Sequence, residues 1–301
     1  MSTTTPASPK RSSGHTKLKQ HGPTTWSTAY TRTVADGPAK FLLLSDVHFD
    51  SVKCDRDRLK GHLDEAVAKD AAVFCFGDWF DLMQGMYDPR RSYSGLRPEY
   101  KSITYLDDVI DDSIEFLKPY ADRWLFMGRG NHETNIEKRL STSPIDRLCQ
   151  GMGGIVSPGS YSGWIKIQMT RYENASFVPM LMHFHHGYGG NAPRSKGVLN
   201  VDLDQKEWPD ADVIVSGHTH QKWHVPMTVE RIGQHMALRE ETVHHVKLGS
   251  YKMLDRFAGW EVEKGFAQPR LGGWWMDVKL NRVMINRKET VKPITTFTEA
   301  H

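Results

Sequence analysis

Five short polar clusters carry the residue types of a metal centre: Asp46-Val47-His48, Gly77-Asp78-Trp79-Phe80-Asp81, Gly130-Asn131-His132-Glu133, His183-Phe184-His185-His186-Gly187 and Gly217-His218-Thr219-His220. Imidazole nitrogens with carboxylate and amide oxygens suit manganese, iron or zinc better than calcium, and the lack of thiolates in the clusters argues against a structural zinc knot. Side chains two apart on an extended backbone face the same way, so Asp46 is expected to point with His48, and His218 with His220. Asp78 and Asp81 are three apart and become neighbours if a helical turn begins there. If the centre holds two cations ~3.5–4 Å apart, one carboxylate must bridge them, and Asp78 is the choice. The glycines beside these residues let backbone approach the ions closely.

Each cluster alone has a plain explanation. A strand-end Asp caps the next turn, Gly-Asn-His-Glu can start a helix with Asn131 capping, and a histidine run can lie on a surface. It is their joint occurrence after successive apolar runs that points to a site. Phe41 to Leu44, Ala71 to Phe76 and Trp124 to Met127 read as buried strands. Between them Leu59, Leu63, Ala66 and Val67 fall on one helical face, as do Leu106, Val109, Ile110, Ile114 and Leu117. That order predicts β-α-β units and a parallel sheet. Further strands are expected at Trp164 to Met169, Phe177 to Met182, Val213 to Val215, Val243 to Leu248 and Trp274 to Ile285, which makes the second half β-rich. In open α/β sheets the carboxyl ends of the strands line the ligand crevice, so residues distant in sequence meet at one edge.

These clusters, in this order, resemble the signature of the calcineurin-like metallophosphoesterase superfamily: D-x-H, GDxxD, GNH-D/E, a histidine before glycine, and GHxH. The resemblance spans roughly Lys40 to Ser250 and implies an α/β fold with a layered β-sheet core flanked by helices. It implies one divalent cation on Asp46, His48, Asp78 and His220, and a second on Asp78, Asn131, His186 and His218. Mn²⁺ is the first expectation, with Fe, Zn or Mg as alternatives. His186 is chosen over His183 and His185 because the family's ligand immediately precedes glycine, here Gly187. The resemblance further implies a metal-bound hydroxide attacking phosphorus, with His132 assisting the leaving group and Asp81 orienting His132.

The activity so implied is hydrolysis of phosphate esters, and the family also holds silent scaffolds that bind proteins. Scaffolds usually lose ligands, whereas this chain keeps all seven. Protein phosphatases of the family carry Arg-Gly after GDxxD, where this chain has Leu82 and Met83, although its Arg129-Gly130-Asn131-His132-Glu133 run is phosphatase-like. GDWFD and GNHE are closer to DNA-repair exonucleases and small bacterial and phage phosphoesterases. Arg90, Arg91 and Arg97, interleaved with Tyr87 and Tyr93, follow the GDxxD cluster, and Arg194 and Lys196 follow the histidine run. Such residues can grip phosphates and stack on bases, so the expected substrate is a nucleic-acid or nucleotide phosphodiester. A solvated basic loop explains the same residues.

Residues 1–38 are rich in Ser, Thr, Pro, Lys and Gly and are expected to be a mobile tail, unless Trp26 and Tyr30 dock its last part. The domain is expected over 39–288, with a C-terminal tail at 289–301. The net charge of +3 is uneven, because residues 1–35 hold five basic residues and no acid. Cys54, Cys75 and Cys149 show no paired spacing, which excludes a disulfide framework and fits a reducing compartment. No apolar run approaches the ~20 residues of a membrane span and the start lacks a signal-peptide core, so a soluble cytoplasmic protein is expected.

Overall fold

The computed structural model describes residues 17–31, 37–83, 95–170, 177–189, 195–232, 236, 238–254, 270–285 and 288–301. It begins with a hairpin of β1 (Lys19–Gly22) and β2 (Thr25–Thr31). Strands β3 (Ala39–Leu44), β4 (Ala72–Phe76) and β5 (Trp124–Gly128) are separated by helices α1 (Arg56–Ala68) and α2 (Tyr105–Leu117). Helices α3 (Asn131–Leu140) and α4 (Pro144–Gly151) follow, then β6 (Ser157–Pro158), β7 (Ser162–Thr170), β8 (Phe177–His185), helix α5 (Val201–Glu207) and β9 (Val213–Ser216). Two long hairpins complete the strands: β10 (Trp223–Ile232) with β11 (Leu238–Lys247), and β12 (Trp274–Ile285) with β13 (Lys288–Glu299).

Two sheets result, in the orders β13-β12-β3-β4-β5-β6 and β1-β2-β7-β8-β9-β11-β10. The β-α-β expectation holds for β3 to β6, which are parallel, but β12 and β13 join that sheet antiparallel and make it mixed. Side-chain alternation explains why both faces of the central strands are apolar. Leu42, Leu44, Val73, Cys75, Trp124 and Met127 face helices α1, α2 and α4. Phe41, Leu43, Phe74, Phe76 and Phe126 alternate with them and meet Ile165, Ile167, Met180, Met182 and Phe184 of the second sheet.

Helix α1 starts where the Asp55 side chain accepts the Arg58 amide, and it buries Leu59, Leu63 and Ala66. Val67, expected on that face, is 43% exposed. Its position lies at the margin of the apolar stripe, where the helix turns toward solvent.

Two boundaries differ from expectation. Residues 19–31, read as tail, form β1 and β2, and β2 pairs in parallel with β7. Trp26 and Tyr30 are each 2% exposed between the sheets, so two aromatic rings replace the missing apolar content. Residues 289–299, read as tail, belong to β13 (Lys288–Glu299), paired along its length with β12, with Val291 and Phe297 packed on the inter-sheet core. Among the described residues no helix is long and apolar enough to cross a membrane.

Candidate metal centre

Five strand ends deliver the polar clusters to one edge. Asp46 and His48 follow β3, Asp78 and Asp81 follow β4, Asn131 opens α3 after β5, His186 follows β8, and His218 and His220 follow β9. The backbone there is not extended. Asp46, His48, Asp78, His218 and His220 have φ of 53°, 51°, 51°, 73° and 56°, in the left-handed region that non-glycine residues rarely occupy. The convergence expected from strand alternation is therefore produced by kinks, and the strain is held by the surrounding hydrogen bonds. Asp46 N donates to Gly77 O (3.0 Å) and His48 N to Asp78 O (3.1 Å), stitching two loops together, while Ser250 Oγ (2.8 Å) and Tyr251 N (3.0 Å) donate to Asp46 O. The GDxxD stretch forms no helical turn either.

Glycines make the approach possible. A Cβ on Gly130 would collide with Asp78 Oδ1, and one on Gly217 with Ser45 Oγ and Asp46 Oδ2. Glu133 is fully buried and accepts the amides of Asp78 (3.1 Å), Phe80 (2.9 Å) and Gly130 (2.8 Å), so it shapes the loop as well as the helix start. Burial, and then the charge of Asp78, push the Glu133 carboxyl up to about 7.

All seven expected ligands meet. Asp46, His48 and His220 form one group able to hold a metal ion, and Asp78, His186 and His218 form another. Asp78 also groups with His48 and His132, so it lies between the two. His48 Nε2 is 3.1 Å from His220 Nε2, which is 3.4 Å from Asp46 Oδ1. His186 Nε2 lies 3.1 Å from Asp78 Oδ2 and 3.3 Å from Asn131 Oδ1, and His218 Nδ1 is 2.8 Å from Asn131 Oδ1. His183 and His185 point elsewhere: His183 stacks on Trp208 at 3.8 Å, and His185 packs against Tyr161 and Tyr188.

The donor set fits divalent cations. His48 Nδ1 is 2.8 Å from Asp81 Oδ1, His186 Nδ1 is 2.9 Å from Phe76 O, and His218 Nε2 is 3.1 Å from Gly189 O. The carbonyls of Phe76 and Gly189 accept from His186 and His218, and the Asp81 carboxylate lies beside His48 Nδ1, so the opposite ring nitrogens face the centre, the arrangement typical of metal-binding histidines. Electrostatics agree. Burial alone would raise Asp78, but His186 and His132 hold its carboxyl well below the usual carboxylate range. Burial likewise opposes charge on His186, yet Asp78 and Asp46 lift it to about 9. A proton there is the charge that a bound cation would replace.

His132 and Asp81 are arranged differently from expectation. His132 Nδ1 meets the backbone carbonyl of Asp81, and its Nε2 is 3.8 Å from Asp78 Oδ2. The Asp81 carboxylate is 3.9 Å from His132 Nδ1 and instead engages His48 and Lys252 Nζ, the latter at 2.8 Å. The Lys252 ammonium and the His48 ring hold that oxygen, which turns the carboxylate away from His132. Sequence reading missed Lys252. It also missed Asp50, whose carboxylate accepts the amides of Asp81 (2.6 Å) and Leu82 (3.0 Å); its nearness to His48 was the only signal.

The basic residues are dispersed. Arg90, Arg91 and Arg194 lie outside the described residues. Arg97 donates to Ser51 O (3.1 Å) and Cys54 O (3.0 Å), so its guanidinium pins loop backbone where a phosphate grip was expected. Lys196 is exposed, and its carbonyl accepts Trp223 Nε1 at 2.9 Å. Arg129, in the phosphatase-like run, binds Glu137 (2.6 Å), Asp146 (2.6 Å), Ser143 and Gly159, which ties α3 to α4.

Comparison with known proteins gives a family match over residues 39–222, to the calcineurin-like phosphoesterase model. No curated protein sequence matches. Solved structures similar to this chain include Vps29 complexed with Zn²⁺ from Entamoeba histolytica, at 11% identity and a TM-score of 0.35, covering 85% of this chain and 98% of that one. GAP50 of Plasmodium, the anchor in the inner membrane complex, matches at 12% identity and a TM-score of 0.43, covering 88% and 85%. A conserved uncharacterised protein of Streptococcus pneumoniae, described as a predicted phosphoesterase, matches at 15% and 0.32, covering 88% and 99%. The family model spans more than half of the chain and takes in all five clusters that meet at this edge, so the protein belongs to the calcineurin-like phosphoesterases.

Proposed function

We propose that the protein is a two-metal hydrolase of phosphate esters. The observation that carries this reading is the convergence of imidazole lone pairs and ionised carboxylates, with the opposite ring nitrogens anchored on acceptors. Asp46, His48, Asp78 and His220 would hold one cation, and Asp78, Asn131, His186 and His218 the other. Cations so held would polarise the phosphoryl group and acidify water, which would supply a nucleophile near neutral pH. The chain's own part is positioning and proton transfer. His132 Nδ1 is fixed by the Asp81 carbonyl, which leaves Nε2 to carry a proton to the departing oxygen. Asp81 thus orients His132 through its backbone carbonyl, while its carboxylate lies against His48.

Retention of all seven ligands with His132 favours an enzyme over a protein-binding scaffold. Arg129 is committed to four partners within the fold, which counts against a protein-phosphatase reading. The phosphodiester preference, which leaned on the basic loops, keeps only Lys196 as a free cation among the described residues it named.

The test is hydrolysis of an aryl phosphate monoester and diester by metal-stripped protein with and without Mn²⁺. Activity that appears on adding metal and disappears with chelator is expected. No hydrolysis of either ester after metal loading would overturn the proposal.

A further inference from the structure

A cleft of about 960 Å³ opens where the chain leaves His220, a volume at the upper end of small-molecule sites. It is joined to the metal centre through backbone, because Arg270 N donates to His220 O at 3.3 Å and the next residue, Gln221, lines the cleft floor. One wall is aromatic. Trp223, Trp274 and Phe297 face the space, with His224 packed 4.7 Å from Phe297, and the bond from Trp223 to Lys196 O fixes that indole.

The rim is cationic. Lys196 and Arg270 line it, and the buried Lys222, bonded to Ala300 O (3.2 Å), shares the one lining carboxylate, Glu299, with Arg270 (3.3 and 3.7 Å). Lys196 has no carboxylate partner among the described residues. Gln221 is 2% exposed, and its side-chain nitrogen has no partner among the described residues, a state that buried amides avoid when a ligand or water can accept.

We infer that this cleft binds the nucleoside of a nucleotide ester whose reacting phosphate lies at the metal centre, an inference that rests on the hydrolase reading above. The three features match three parts of one ligand. A base stacks on Trp223 and Phe297, sugar oxygens accept from Gln221, and a further phosphate meets Lys196 and Arg270. A simple aryl ester uses only the aromatic wall, and an inorganic polyphosphate only the rim.

Binding to Mn²⁺-loaded protein, measured by calorimetry, tests this with non-hydrolysable probes. Adenosine 5′-(α,β-methylene)diphosphate should bind about tenfold more tightly than methylenediphosphonate, the effect of one stacked base. Trp223→Ala should remove that difference while leaving methylenediphosphonate binding unchanged, and Trp223→Phe should retain most of it. Equal binding of the two probes to the native protein would overturn the inference, as would Trp223→Ala weakening both alike. Phenylphosphonate binding as tightly as the nucleotide would also overturn it, in favour of a simple aromatic ester. Aryl phosphate hydrolysis separates the two readings: activity without nucleotide preference removes the cleft alone, and nucleotide preference without hydrolysis of any ester removes the hydrolase.

Discussion

Asp81 sits between two neighbours that want the same oxygen. Lys252 and His48 are each 2.8 Å from its Oδ1. Burial by itself would raise this carboxyl, and the Lys252 ammonium and His48 more than reverse that. An ionised Asp81 lies beside His48 Nδ1 and leaves Nε2 facing the proposed metal centre, so Lys252 would act on a cation held there through two side chains. Lys252→Met is therefore expected to lower metal affinity by ~10–100-fold, the usual effect of removing a partner behind a ligand. Equilibrium dialysis against Mn²⁺ measures it, and an unchanged affinity would show that His48 needs no such support. His132→Ala is expected to keep its metal and to lose ~10²–10⁴ in turnover. If that variant emptied the site instead, His132 would be a ligand. None of this arrangement around Asp81 was legible in sequence, because Lys252 lies far along the chain and belongs to no motif.

Loops at the ends of β3, β4 and β9 carry most of the site, and they do so in conformations that their residue types disfavour. Five of the proposed ligands at positive φ are a strain that the cross-loop hydrogen bonds must hold, which is why the glycines beside them matter. Gly130→Ala places a Cβ against Asp78 Oδ1 and is expected to abolish metal binding. Gly61→Ala, in an open position on α1, is expected to raise stability by ~1 kcal/mol and leave metal binding alone. Denaturant melts with metal titrations of both variants check the pair, and retained metal in Gly130→Ala would contradict the account of the loop. The clusters were readable because each one ends an apolar run of strand length. The kinks were not, since Asp and His give no warning of a left-handed backbone and the extended reading of Asp46 and His48 reached the right convergence by the wrong geometry.

At the scale of the whole molecule, the terminal segments complete the sheets. Trp26 and Tyr30 sit in the inter-sheet core with Phe41, Phe126 and Phe184, and β2 covers an edge of β7 that would otherwise lie open. Trp26→Ala is expected to cost ~3–5 kcal/mol in stability, measured by denaturant unfolding, with little change in metal content at low temperature. A loss below ~1 kcal/mol would mean that the hairpin adds little to the core. The period-two placement of Trp26, Thr28 and Tyr30 was a strand signal, but a composition rich in Thr and Ser concealed it. If, as proposed, seven side chains from five strand ends hold two divalent cations for phosphate-ester hydrolysis, the metal content of the protein must depend on them. Elemental analysis after Mn²⁺ loading and removal of free metal tests it most directly, on native protein beside Asp78→Ala. Close to two metal ions per native chain and fewer than one in the variant are expected, whereas a native chain without metal, or a variant with the full complement, would rule out the two-metal site.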